Sequence, residues 1–77
     1  MLKADAELDA TGLKCPMPVL RARRALKPMP VGAVLRVIAD DPASLQDMPA
    51  FCETTGNPLI EATETADRFV FYIRKAG

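Results

Sequence analysis

Hydrophobic and polar positions alternate through Ala6-Glu7-Leu8-Asp9, which predicts a short half-buried strand ended by a Thr11-Gly12 turn. From Pro16 to about Pro28 the period becomes helical. Val19, Ala22, Leu26 and Met29 fall on one side and Arg21, Arg24 and Lys27 on another. Pro28-Met29-Pro30 stops this helix, and Val31-Gly32 turns the chain into a second strand over Val34 to Ala39. In that strand Leu35 and Val37 should face the helices and Arg36 should point away. Asp41-Pro42 has the chemistry of an N-cap followed by the first helical residue. The helix it opens would set Leu45, Met48, Cys52 and Thr55 on one side and close at Gly56. Pro49 lacks an N–H and disfavours helical geometry at Met48, so a kink or two short pieces are expected there. Leu59 to Glu64 and Arg68 to Arg74 alternate again and form a hairpin through Thr65-Ala66-Asp67. Phe69, Phe71 and Ile73 share its inner face.

The order strand, helix, strand, helix, strand, strand belongs to the α/β class, specifically an α+β two-layer sandwich. Right-handed crossovers would place both helices on one face of a mixed four-stranded sheet. A chain of 77 residues makes one domain over residues 1–77, near the lower size limit for a self-sufficient core. That leaves no room for a separate catalytic unit.

Composition removes several chemistries. With no histidine and only two cysteines, the chain lacks the usual zinc ligand sets, a disulfide scaffold and any Ser/His or Cys/His catalytic pair. Neither a secretory signal nor an apolar run of about 20 residues is present, so the expectation is a soluble cytoplasmic protein with reduced thiols. Net charge is zero, yet the charges are divided along the chain. Between Asp9 and Asp40 every charged residue is basic: Lys14, Arg21, Arg23, Arg24, Lys27 and Arg36. From Asp40 to Asp67 every one is acidic. This division is either a pair of solvated faces or a docking surface of one sign around Cys15.

The strongest chemical candidate is Cys15, within Gly12-Leu13-Lys14-Cys15-Pro16-Met17-Pro18. A helix start presents unpaired N–H groups and the positive end of its dipole. A cysteine placed there beside Lys14 should have a lowered thiol pKa. Gly12, Lys14, Pro16 and Pro18 would shape the site, the glycine by permitting the turn and the prolines by starting and stiffening the helix. The alternative is a small N-cap cysteine without reactivity. Asp9 is expected to bond turn N–H groups rather than to act on substrate. Cys52 falls on the packed side of the second helix, where a thiol is ordinarily inert. It could resolve Cys15 only at a Cα separation under about 7 Å.

Asp9, Gly12-Leu13, the Cys-Pro-x-Pro run at Cys15 to Pro18, Arg23, Gly32, Asp40-Asp41-Pro42, Asp47, Phe51-Cys52 and the ending Phe71-Tyr72-Ile73-Arg74-Lys75 together resemble the TusA/SirA family of small sulfur carrier proteins. The chain departs from the family at Asn57, where relatives often have histidine, and at Met17, where some have an acidic residue. The resemblance implies that Cys15 accepts sulfane sulfur as a persulfide and hands it to a partner protein. It implies sulfurtransferase chemistry performed as a stoichiometric carrier, with no cofactor or metal beyond the transient persulfide. The implied partners are a donor, such as a cysteine desulfurase or rhodanese-like protein, and an acceptor in a sulfur relay. That relay could serve tRNA thiolation, cofactor sulfuration or sulfur oxidation. The carrier is expected to be a monomer, with Arg21, Arg23, Arg24 and Lys27 available for docking. The competing readings are a small RNA-binding module using the basic helix and a thiol redox sensor using both cysteines. Zero net charge and the lack of aromatic residues among the basic ones count against RNA.

Overall fold

The computed structural model describes residues 3–77. Its elements are β1 (Ala6–Asp9), α1 (Met17–Leu26), β2 (Val34–Ala39), α2 (Ser44–Thr55), β3 (Leu59–Glu64) and β4 (Phe69–Arg74). The sheet order is β1-β2-β4-β3. β1 and β2 are parallel, a pairing that requires a long crossover, and the segment carrying α1 supplies it. β4 lies between β2 and β3 and is antiparallel to both. This is the expected mixed sheet and two-layer α+β fold.

Register explains which face is covered. Leu35 stands opposite Ile73 and Val37 opposite Phe71, so four buried apolar side chains share one side of the sheet. Both helices pack over that side. α1 contributes Pro18, Ala22 and Leu26, and α2 contributes Met48, Phe51 and Cys52. The opposite side is mixed and partly wet: it carries the half-buried Val34, Ile38 and Val70 together with Arg36, which pairs with Glu7 at 3.0 Å and donates through Nε to the Tyr72 hydroxyl at 3.1 Å.

Four local expectations change. α1 is shorter than Pro16 to Pro28, because Lys27 caps it and the chain then turns through Pro28-Met29-Pro30. The Lys75 ammonium reaches back to the carbonyls of Leu26 (3.1 Å) and Lys27 (3.4 Å), neutralising the negative end of that helix. Asp41 is not the N-cap of α2. Asp41 to Ala43 form a tight lead-in turn, with Ser44 N–H bonded to the Asp41 carbonyl, and regular helix begins at Ser44. The Asp41 carboxylate still accepts from Ala43 N–H through Oδ1 at 3.3 Å, and its Oδ2 is left for another partner.

Pro49 neither divides nor stops α2. It is the sixth residue of the helix, so its missing N–H deprives only the Leu45 carbonyl, and Leu45 is 44% exposed where water can substitute. The buried stripe of α2 is consequently Ser44, Met48, Phe51 and Cys52, while Leu45 and Thr55 lie outside it. Gly56 closes α2 as expected, in the left-handed region at φ 77°.

Candidate functional site

The loop joining β1 to α1 emerges beside the end of β2. Asp9 is in register with Ile38, and Ala10 N–H bonds to the Ile38 carbonyl at 2.7 Å, so Asp40 and Asp41 arrive alongside the loop. The backbone is then tied down donor by donor. Asp9 Oδ1 accepts from the Thr11 N–H (3.0 Å) and hydroxyl (2.6 Å), the turn role expected of it, and these bonds lower its pKa. The Asp40 carboxylate accepts from Gly12 N–H at 3.0 and 3.1 Å, where the chain passes through φ 81°. Asp41 Oδ2 accepts from Cys15 N–H at 2.7 Å. Bonds from Cys15 and Ala43 N–H hold the Asp41 carboxyl below the usual carboxylate range, with a smaller contribution from the Lys14 charge.

Cys15 is exposed, two residues ahead of α1, and its peptide bond to Pro16 is cis. Its thiol donates from Sγ to Asp47 Oδ2 of α2 at 2.9 Å. A carboxylate that accepts this proton favours the thiol over the thiolate, and the charges of Asp47 and Asp41 add to the effect. The thiol pKa is therefore raised, chiefly by Asp47, contrary to the lowering expected from Lys14 and the helix end. The idea of a surface of one sign around Cys15 fails for the same reason. Asp40, Asp41 and Asp47, from the acidic half of the chain, surround the loop.

Beside the thiol runs a groove of about 410 Å³ between the helices, lined by Pro16, Val19, Leu20, Arg23, Ala50 and Phe51 among others. It brings Arg23 to the same hollow as Cys15 and Asp47. Lys27 sits farther along, in a second hollow with Arg23 and Lys75. Arg21 and Arg24 are exposed and line neither. Gly12, Lys14 and Pro16 lie on the exposed loop, whereas Pro18 is fully buried and anchors the first turn of α1 in the core.

Cys52 is buried, 5% exposed, and desolvation pushes its thiol up to about 11. Both cysteines are free. Asn57 is also buried; its amide donates to the Thr55 hydroxyl and its carbonyl accepts from Ala76 N–H, tying the end of α2 to the C-terminal segment. Among the described residues no helix is long and apolar enough to cross a membrane, and no cluster of three His, Cys, Asp or Glu side chains is placed to hold a metal ion.

The family model described as sulfurtransferase TusA matches residues 6–75, nearly the whole chain. The chain belongs to the TusA family. The sulfur carrier protein TusA of Allochromatium vinosum is 50% identical over 76 residues, covering 99% of this chain and 100% of the relative. That of Pseudomonas putida is 44% identical over 71 residues, covering 92% and 89%. In three dimensions the chain is similar to a SirA-like protein from Desulfitobacterium hafniense, with a TM-score of 0.80, 30% identity and coverage of 94% and 99%. For this member of the TusA family, Asp40, Asp41 and Asp47 carry the resemblance in sequence, but their gathering at Cys15 is the part of the site the residue pattern did not assign. Their signal was the position of Asp40-Asp41 at the end of a strand parallel to the one leading into the cysteine loop.

Proposed function

We propose that Cys15 is the sulfur-carrying residue and that the protein relays sulfane sulfur from a donor protein to an acceptor protein as a Cys15 persulfide. The observation that carries this reading is an exposed thiol on a rigidly bonded loop at the mouth of an apolar groove, in a chain of the sulfur carrier family. The second thiol is buried and kept protonated, which suits it to packing.

In the loading step the Cys15 thiol gives up its proton and the sulfur attacks the outer sulfur of a donor persulfide. A new S–S bond forms at Cys15 while the donor's S–S bond breaks. The donor sulfur leaves with the electron pair and takes up a proton, so no external oxidant is required. Unloading is the same exchange with the acceptor thiolate as nucleophile and Cys15 as leaving group. The groove between α1 and α2 would receive the partner's cysteine-bearing segment. Arg23, with Lys27 and the exposed Arg21 and Arg24, would meet partner carboxylates. The partner classes that suit this chemistry are a persulfide-bearing donor, such as a cysteine desulfurase or a rhodanese-like protein, and a thiol acceptor from a sulfur relay.

The test is single-turnover transfer. The protein is incubated with a cysteine desulfurase and cysteine, or with inorganic polysulfide, and its intact mass followed before and after addition of an acceptor thiol protein. A gain of about 32 Da that disappears on addition of the acceptor is the expected result, since sulfane sulfur moves as a unit in thiol exchange. No gain from either donor contradicts the reading.

A further inference from the structure

The contact between Cys15 and Asp47 works against the reactivity expected of a carrier, since the carboxylate stabilises the protonated, less nucleophilic form. Its consequences differ for the two states of the carrier. An empty Cys15 has a proton to donate, and Asp47 Oδ2 takes it at 2.9 Å. A persulfide is a stronger acid than the parent thiol, because the charge rests on a polarisable terminal sulfur bonded to a second sulfur. At neutral pH the loaded residue is therefore an anion with no proton to donate. It is also one sulfur longer. The charged groups around it are Asp47 from α2, Asp40 and Asp41 from the segment before α2, Lys14 in its own loop and Arg23 on the α1 side of the groove that Asp47 also lines. Two carboxylates close to Cys15 make an inward-facing anion unfavourable, whereas the solvent side and the Arg23 end of the groove do not.

Resting on the persulfide reading above, we propose that Asp47 is a positioning residue that holds the empty carrier's thiol against α2 and turns the loaded carrier's outer sulfur away from that wall of the groove, toward solvent and the Arg23 side where an acceptor enters. The same carboxylate thus retains one state and presents the other. Asp41 keeps the Cys15 backbone fixed while the side chain changes direction, because its bond is to the N–H and does not depend on the sulfur.

The experiment compares wild type, Asp47→Asn and Asp47→Glu, empty and after loading with polysulfide, using iodoacetamide as one uncharged electrophile for both states. Mass spectrometry separates alkylated thiol from alkylated persulfide, and thermal melts show that the variants are folded. In the empty Asp47→Asn protein the pH profile of alkylation should move to lower pH and the rate near neutrality should rise several-fold. In the loaded Asp47→Asn protein alkylation of the outer sulfur should be slower than in wild type, so the loaded-to-empty rate ratio falls. Asp47→Glu, which keeps the carboxylate, should restore the wild-type direction of both. Rates that rise by the same factor in both states, or an unchanged pH profile, would overturn the role of Asp47 alone. Failure of the wild type to take up sulfur would overturn the carrier reading and with it the loaded half of this proposal.

Discussion

Raising the pH should destabilise this protein through Cys52, and the size of the effect follows from its burial. The unfolded chain releases the Cys52 proton near the ordinary thiol value of 9.0, the folded chain only near about 11. Between these values the unfolded state binds fewer protons than the folded one, so stability falls as pH rises; below about 9 the contribution is constant. Two pH units, each a little over 1 kcal/mol, set an upper bound of roughly 3 kcal/mol. Cys52 also borders a shallow groove with Pro49, Gly56 and Pro58, so its desolvation is incomplete. A loss of about 1–2 kcal/mol is accordingly expected between pH 8 and pH 10.5. The assay is urea unfolding at both pH values in a Cys15→Ser background, which removes the other titrating thiol, with and without Cys52→Ala. Effects of pH common to both proteins cancel in the comparison. Parallel loss of stability in the two would refute the burial argument for Cys52.

Met48→Ala removes a fully buried side chain between α2 and the sheet and should cost about 2–5 kcal/mol in urea unfolding. That is a large share of the roughly 4–12 kcal/mol expected for a domain of this size; a loss under about 1 kcal/mol would contradict the core assignment. Gly12→Ala meets no neighbouring atom, so the strain of φ 81° alone should destabilise the fold by about 1 kcal/mol, and an unchanged melting temperature would show that the loop relaxes. Arg21→Glu with Arg24→Glu should slow sulfur transfer to an acceptor protein in a salt-dependent manner while leaving Cys15 alkylation nearly unchanged. Transfer rates indifferent to both salt and these substitutions would exclude docking through this part of α1.

Element order and the inner faces of the strands were legible because burial imposes its period on local sequence. Leu35, Val37, Phe71 and Ile73 alternate, and each is buried on the helix side. The fate of Asp41-Pro42 and Pro49 was not legible. Each depends on surroundings that only the folded chain supplies: a carboxylate recruited by Cys15 N–H, and an exposed Leu45 at the position whose carbonyl loses its helical partner. At the site, glycine, cysteine and proline spacing located the loop and the exposed thiol. The direction of the thiol's pKa shift was missed because the dominant group, Asp47, is 32 residues away in sequence and reaches Sγ only once α2 lies beside the loop. Lys14, adjacent in sequence, acts instead on Asp41. Nearest neighbours in sequence were a poor guide to nearest charges in space.

Whether sulfur is carried on Cys15 is decided by peptide mapping of the loaded protein. Wild type, Cys15→Ser and Cys52→Ser are loaded from a cysteine desulfurase, trapped with iodoacetamide and digested, and the sulfur-bearing peptide is identified by mass. About one added sulfur is expected in wild type and Cys52→Ser, on the peptide containing Cys15, and none in Cys15→Ser. Sulfur recovered on the Cys52 peptide, or equal loss of loading in both variants, would contradict it.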